Sequence, residues 1–343
     1  MITFIARRIL QAILILAVLT VLFFALLRIS APQGPCAYIL ANPSPNTATR
    51  YQECVVSRGL DKPLPLQYVS WVVAIAHGDF GIDHFGSPVL DTVVQRLPAT
   101  ILLVGLSYLF QQLLAIPLGL LGALKRYSIY DQVLTFLSYV GLSLPVFWLG
   151  LMLIYVFSIL FPILPSSGII GTKTGDSFAN ILPNSFGTPE YWSFFAKHPG
   201  PAIGNFLWHV ILPALALAII GIAGDSRFMR ASMLEVINQD YVRTARAKGL
   251  PQSTVILKHA LRNALLPIIT NFGLFIPSLI GGAVITEGIF AWPGMGQYFF
   301  QAIGNHDNNA LQVVLLLTAL FTLVGNLVAD LLYAVVDPRI RYN

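Results

Sequence analysis

Long apolar runs separated by short charged stretches set the character of this chain. Residues 9–27, 97–124, 132–160, 263–286 and 308–329 contain no charged side chain, and 206–224 has only His209. A helix rising 1.5 Å per residue needs about 20 residues to cross the hydrocarbon of a bilayer, and each run supplies roughly that length. The apolarity is unbroken rather than alternating, which predicts membrane helices and not barrel strands. The expected fold is an all-α integral membrane protein with six transmembrane helices and a large external loop after the first.

Composition agrees. Of the 343 residues, 56% are hydrophobic and 10% charged, whereas about a quarter of a soluble domain is charged. The net charge of +5 reflects where the basic residues fall and gives no reason to invoke nucleic acid. With the N-terminus inside, thirteen of the 20 Lys and Arg lie on the inner side: Arg7, Arg8, Lys125, Arg126, Arg227, Arg230, Arg243, Arg246, Lys248, Lys258, Arg262, Arg339 and Arg341. The outer seven are Arg28, Arg50, Arg58, Lys62, Arg96, Lys173 and Lys197. By the positive-inside rule both termini are cytoplasmic. Although Arg7-Arg8 precedes the first apolar run as in a signal peptide, that run exceeds the usual core of about 7–15 residues and no small-residue cleavage site follows. It reads as a retained span.

This divides the chain into an N-terminus and first helix (1–30), an external cap or docking subdomain (31–96), and a core with helices two to six (97–343). Within the core lie an external loop, 161–205, and a cytoplasmic loop, 225–262. The cap opens with Pro32, Gly34, Pro35, Pro43 and Pro45 and then offers an apolar stretch, 65–76, suited to a short interfacial helix. The loop 161–205 carries Tyr191, Trp192, Phe194 and Phe195, for which a place at the membrane edge is a simpler account than substrate contact.

Cys36 and Cys54 both fall in the cap. In an oxidising compartment they would close a loop whose entropy is worth about 3 kcal/mol, and a bridge is expected; the alternative is two unrelated thiols. The six histidines are scattered without zinc-type spacing, so no metal is expected. No P-loop, His-Glu-x-x-His or Gly-x-Ser-x-Gly motif is present, hence no catalytic residues. Uphill transport would need either an ion gradient acting on intramembrane ionisable groups or an attached motor. Only His209 and Asp330 lie within or at the edge of a span, and Asp330 suits an interfacial cap or a partner for an Arg. A motor is the better reading.

The loop 225–262 offers that motor a handle. In Asp240-Tyr241-Val242-Arg243-Thr244-Ala245-Arg246-Ala247-Lys248, the Ala, Arg and Lys favour helix, and Gly249-Leu250-Pro251 stops it. Such a short helix could pass on a rigid-body displacement if a soluble subunit gripped it; equally, its charges could simply face solvent.

The run Tyr241 to Leu250, followed by Lys258-His259-Ala260-Leu261-Arg262-Asn263-Ala264-Leu265-Leu266-Pro267, resembles the EAA loop of bacterial ATP-binding-cassette importer permeases, in their dipeptide, oligopeptide and nickel branch. The resemblance spans nearly the whole chain. It includes Phe4-Ile5-Ala6-Arg7-Arg8, Gly59-Leu60-Asp61-Lys62-Pro63, Gly78-Asp79-Phe80-Gly81, Arg96-Leu97-Pro98-Ala99-Thr100, Gly141-Leu142-Ser143-Leu144-Pro145, Glu287-Gly288-Ile289-Phe290-Ala291-Trp292-Pro293-Gly294-Met295-Gly296 and Asp337-Pro338-Arg339.

The resemblance implies the first permease of a pair in the cytoplasmic (inner) membrane, working with a second permease, two ATP-binding subunits and an extracytoplasmic binding protein, with ATP and Mg held by the partners. The ATPase groove would receive Arg243, Thr244, Ala245, Arg246, Ala247, Lys248 and Gly249. Arg243 and Thr244 depart from the general Glu-Ala opening, and Asn263 stands where the motif expects Pro. Candidate pathway-lining positions are Ser143, Phe147, Asn271 and Ser278, polar or aromatic on otherwise apolar helices. The rival reading is a self-sufficient secondary transporter or channel. Substrate is open among dipeptides, longer peptides, a nickel chelate and oligosaccharides.

Overall fold

The computed structural model describes residues 2–30, 34–41, 43–170, 186–269, 275 and 284–336. Among these residues the only extended pairing is an isolated bridge between Ile82 and Pro88; everything else is helix and connection. Four helices are long and apolar enough to cross a membrane, or five if one sharply bent pair counts as a span. The run 263–286 falls largely outside the described residues, and so do Asn271 and Ser278.

Helix α1 (Ile2–Ser30) stands nearly bare, with 6% of its most apolar window covered by protein, as a lipid-facing helix should be. Contacts near its two ends hold it. Near its start, Arg8 Nε lies 3.1 Å from Asp330 Oδ2 of the last helix, α14 (Asn308–Val336), so Asp330 does take an arginine partner. Near its end, Thr20 shares a 2.9 Å hydrogen bond with Tyr68, and Phe24 packs on Tyr68 and Trp71. The cap consists of α2 (Ala37–Ala41), α3 (Thr47–Ser57) and α4 (Leu64–Ala76). Cys36 and Cys54 are joined by a disulfide with a Cα separation of 6.0 Å.

Helix α5 (Val89–Leu124) crosses position 96 without interruption, so cap and core share one rigid element. The expected single span 132–160 is instead two helices, α6 (Ile129–Ser143) and α7 (Val146–Ile154), the latter continuing as a wide π-helical turn, Tyr155–Leu160. They meet at 101°. The cause is local: Pro145 has no N–H to give a helix and its ring pushes Leu144 out of the α region, to φ −80° and ψ 126°. Ser143 and Phe147 flank this bend and are exposed.

In the loop 161–205, the short helix α8 (Pro189–Lys197) buries Tyr191 and Phe194. Two of the four aromatics expected at the membrane edge are therefore buried, and Phe186 links Tyr191 to Phe206 and on to Trp292. Helix α9 (Pro199–Val236) does not end near Gly224 but continues for three more turns. Arg-Ala-Ser-Met-Leu-Glu, at 230–235, offers no breaker there. Asp225, Arg227 and Arg230 thus belong to a helix about 57 Å long rather than to a loop. The remaining elements are α10 (Asp240–Ala247), α11 (Gln252–Thr254, extended through Val255–Leu261 and Arg262–Ala264), α12 (Val284–Ile289) and α13 (Met295–Gly304).

The central packing joins α5 to α9. Gly119 makes it possible: a Cβ there would sit 2.5 Å from the Ser226 carbonyl oxygen and 2.6 Å from Met229 Cβ, a distance no side chain tolerates.

Candidate functional site

At one end of the bundle, α10 lies as a short bracket. Its apolar residues Val242 and Ala245 are buried in a cluster with Ala123, Met229, Met233, Val255, Ala260 and Ala264. Residues three apart share a helix face, so this spacing seats one side of α10 and turns Arg243, Thr244, Arg246, Ala247 and Lys248 outward. Lys248 follows the last helical residue and Gly249 adopts φ +76°, the left-handed stop expected from the sequence. Tyr241 and Leu250 are 43% and 38% exposed at its two ends. Beside α10, Tyr241, Lys258, His259 and Arg262 line an open cleft of about 510 Å³.

An ion pair ties α6 to α9 beside the bracket. Arg230 donates from Nε and a terminal nitrogen to the two Asp131 oxygens at 2.6 and 2.7 Å. Asp131 Oδ2 also accepts from the Tyr127 N–H at 2.9 Å. The α5–α6 turn is thereby clamped to the stretch of α9 that leads into α10.

At the other end, the Gly78-Asp79-Phe80-Gly81 segment docks onto the start of α14. Buried Asp83 accepts the Phe85 and Ser87 N–H groups at 3.0 and 2.9 Å and the Thr92 hydroxyl at 3.1 Å. Asp307 accepts the His84 N–H at 2.5 Å and the Ala310 N–H at 3.0 Å. Burial pushes the Asp307 carboxyl up, outweighing those two bonds. Asp79, in contrast, pairs with Arg58 at 2.7 Å. Against the upward push of burial, the Gly81 N–H and that guanidinium hold its carboxyl below the ordinary value. A pocket of about 270 Å³ opens here between α1, α4 and α14, with Arg28, Gln67, Trp71 and Asn309 among its walls.

The Glu287 to Gly296 motif also acquires a physical role. Glu287 is fully buried. Its Oε2 accepts the N–H groups of Gly296 and Gln297 at 2.7 and 3.1 Å, and its Oε1 accepts the Thr100 hydroxyl at 2.9 Å. Thr100 in turn accepts the Met295 N–H at 2.7 Å. Two side chains from distant elements thus satisfy the first turn of α13, whose N-terminal N–H groups have no partner within the helix. Trp292 Nε1 donates to the Ala99 carbonyl at 2.9 Å.

Of the candidate residues, those of the coupling segment come together on one surface, with only Ala245 turned inward. Ser143 and Phe147 flank the bend of α6 and α7. Thr100 and Glu287 stood within motifs that carry the resemblance and Asp131 flanked an apolar run, but none of the three was singled out beforehand as a working side chain.

These features define a multi-pass helical membrane protein of the permease type, with a packed bracket at one end and a disulfide-tied cap at the other. Residues 115–342 match the family described as binding-protein-dependent transport system inner membrane component, and residues 1–104 match its N-terminal model; the chain belongs to that family. Over 344 residues and the whole of both chains it is 40% identical to the oligopeptide transport system permease protein AppB of Bacillus subtilis. It is 38% identical, again over both whole chains, to the dipeptide transport system permease protein DppB of Escherichia coli and to the di/tripeptide transport system permease protein DppB of Pseudomonas aeruginosa.

Proposed function

We propose that the chain is one permease subunit of an ATP-driven importer that carries peptides inward, with α10 as the part gripped by an ATPase subunit. The relatives' peptide-transport names support the substrate class. The single observation that carries the coupling is the division of α10 into a buried apolar side and an exposed basic side. A helix pinned on one face transmits force, whereas a freely solvated connector would absorb it.

In this reading the protein has six spans with both termini cytoplasmic, and residues 31–96 and 161–205 form the outer face that meets a substrate-delivering binding protein. It has no ATPase site of its own; ATP and Mg bind on two partner subunits, and a second permease completes the passage. Closure of the ATPases draws the brackets together, and the rigid α9 and α5 carry that displacement through the membrane, exchanging inward-open for outward-open states. Ser143 and Phe147 at the bend line the passage.

The test is replacement of Lys248 and Gly249 by Glu in the assembled complex. Substrate-stimulated ATP hydrolysis and uptake should both collapse while the complex remains folded. Undiminished uptake, or uptake that follows a proton gradient without ATP, would favour a self-sufficient transporter.

A further inference from the structure

Asp225, assigned by the charge pattern to a cytoplasmic loop, lies instead within α9, one and a half turns or roughly 7 Å deeper than Arg230. Its neighbours lie midway along the uncharged run 97–124. Gln111 and Gln112 of α5 both donate to Asp225 Oδ2, at 2.7 and 2.5 Å, and they sit about 18 Å along α5 from its Leu124 end. Gly221 makes room for this arrangement, since a Cβ there would fall 2.0 Å from Oε1 of the Gln111 side chain.

The cluster has acceptors to spare. Among the described residues, Asp225 Oδ1 takes part in no hydrogen bond or ion pair, and the buried Gln112 Oε1 has no partner. The basic residues that follow on α9 are engaged elsewhere: Arg227 lies 4.4 Å from the Tyr139 ring centre, and Arg230 is bound to Asp131. One turn before the glutamines, Tyr108 stacks on Phe275 with ring centres 4.1 Å apart, which adds an aromatic face on the same side of α5. A carboxylate at membrane depth faces the bundle interior or a water-filled passage and marks what passes there. Two free oxygens beside an aromatic pair suit an ammonium group, with its three N–H donors; a metal ion would want a fuller oxygen shell.

We propose that Asp225, presented by Gln111 and Gln112, binds an ammonium group of the peptide in transit. This rests on the reading of the chain as a peptide permease and adds a residue that discriminates substrates by charge inside the membrane.

The test uses the complete importer reconstituted in proteoliposomes, with saturating amounts of loaded binding protein. Four peptides are compared: Ala-Ala-Ala, Ala-Lys-Ala, Ala-Glu-Ala and N-acetyl-Ala-Glu-Ala. Asp225→Asn keeps an acceptor for the glutamines but removes the charge. It should slow Ala-Lys-Ala about tenfold, the worth of one charge-assisted hydrogen bond, and leave N-acetyl-Ala-Glu-Ala unchanged or faster, with Asp225→Glu restoring the difference. If the α-amine is the bound group, all three free-amine peptides slow together; if the lysine side chain is, only Ala-Lys-Ala does. An equal factor for all four, or no effect on any, would overturn the assignment while leaving the permease reading intact. A wild-type complex that moves none of the four would overturn the peptide reading, and this assignment with it.

Discussion

Thr100 and Glu287, 187 positions apart, meet through a 2.9 Å hydrogen bond at the start of α13. Between them they cap three backbone N–H groups that would otherwise be buried and unpaired. Glu287→Ala should therefore cost roughly 3 kcal/mol or more, because each orphaned donor carries a desolvation penalty of about 1–3 kcal/mol. Gly296→Ala should also destabilise, since its Cβ would approach Val284 Cα to 2.6 Å. Thermal unfolding in detergent measures both, and a midpoint within one degree of wild type for Glu287→Ala would contradict the capping role.

How much of this the sequence could reveal depended on the range of the interaction. The stop at Gly249 and the helix before it were legible because capping is local, and the runs 9–27 and 308–329 were legible because a bilayer demands length. The break at Leu144 was foreshadowed by Pro145 alone, yet its angle depends on what α6 and α7 pack against. Asp225 read as loop because charge statistics treat an acid after an apolar run as the end of a span, while the helix continues through it to Val236. Glu287 could be quoted as part of a motif, but its partner Thr100 lies 187 positions away in sequence and no spacing rule reaches it.

The two sides of α10 should respond differently to substitution. Val242→Ala removes methyl groups from a fully buried position and should lower stability by about 1–3 kcal/mol. Arg246→Glu on the exposed side should leave stability within about 0.5 kcal/mol but prevent co-purification of the ATPase subunits and abolish ATP-driven uptake. If Arg246→Glu retained both, the basic face would be an ordinary solvated surface.

The Cys36–Cys54 bridge closes a sequence separation of 18, for which chain-entropy estimates give about 3 kcal/mol. Reduction should loosen the cap while leaving the α5–α9 packing in place. Alkylation followed by mass measurement should find neither thiol accessible before reductant and both after it; two alkylatable thiols in untreated protein would show that no bridge forms.

Asp307 supplies a pH dependence whose sign is fixed. Its folded value is raised by burial, so the folded state favours the protonated form. The stability it contributes is full below the unfolded value near 4 and is lost as pH rises through the raised one. The difference in unfolding midpoint between wild type and Asp307→Asn, followed from pH 4 to pH 8, should move against wild type. A difference that stayed flat would show that the two accepted N–H bonds balance burial, and one that grew in favour of wild type that they outweigh it.

Arg230 and Asp131 form a two-pronged pair, with side chains 29% and 5% exposed, at the point where α9 leaves the bundle for α10. Removing one partner of such a pair costs about 3–5 kcal/mol when both are fully buried. The partial exposure of Arg230 lets water screen some of that, so Arg230→Ala should cost roughly 2 kcal/mol and Asp131→Ala somewhat more, because Asp131 also holds the Tyr127 N–H. If the pair serves only stability, a second-site change that restores the melting temperature should restore transport as well. If it clamps the α5–α6 turn to the lever formed by α9, the stabilised variant should still hydrolyse ATP without moving substrate. Uptake and ATPase rates measured on one preparation, expressed as substrate moved per ATP, separate the two, and an unchanged ratio would reduce the pair to a structural tie.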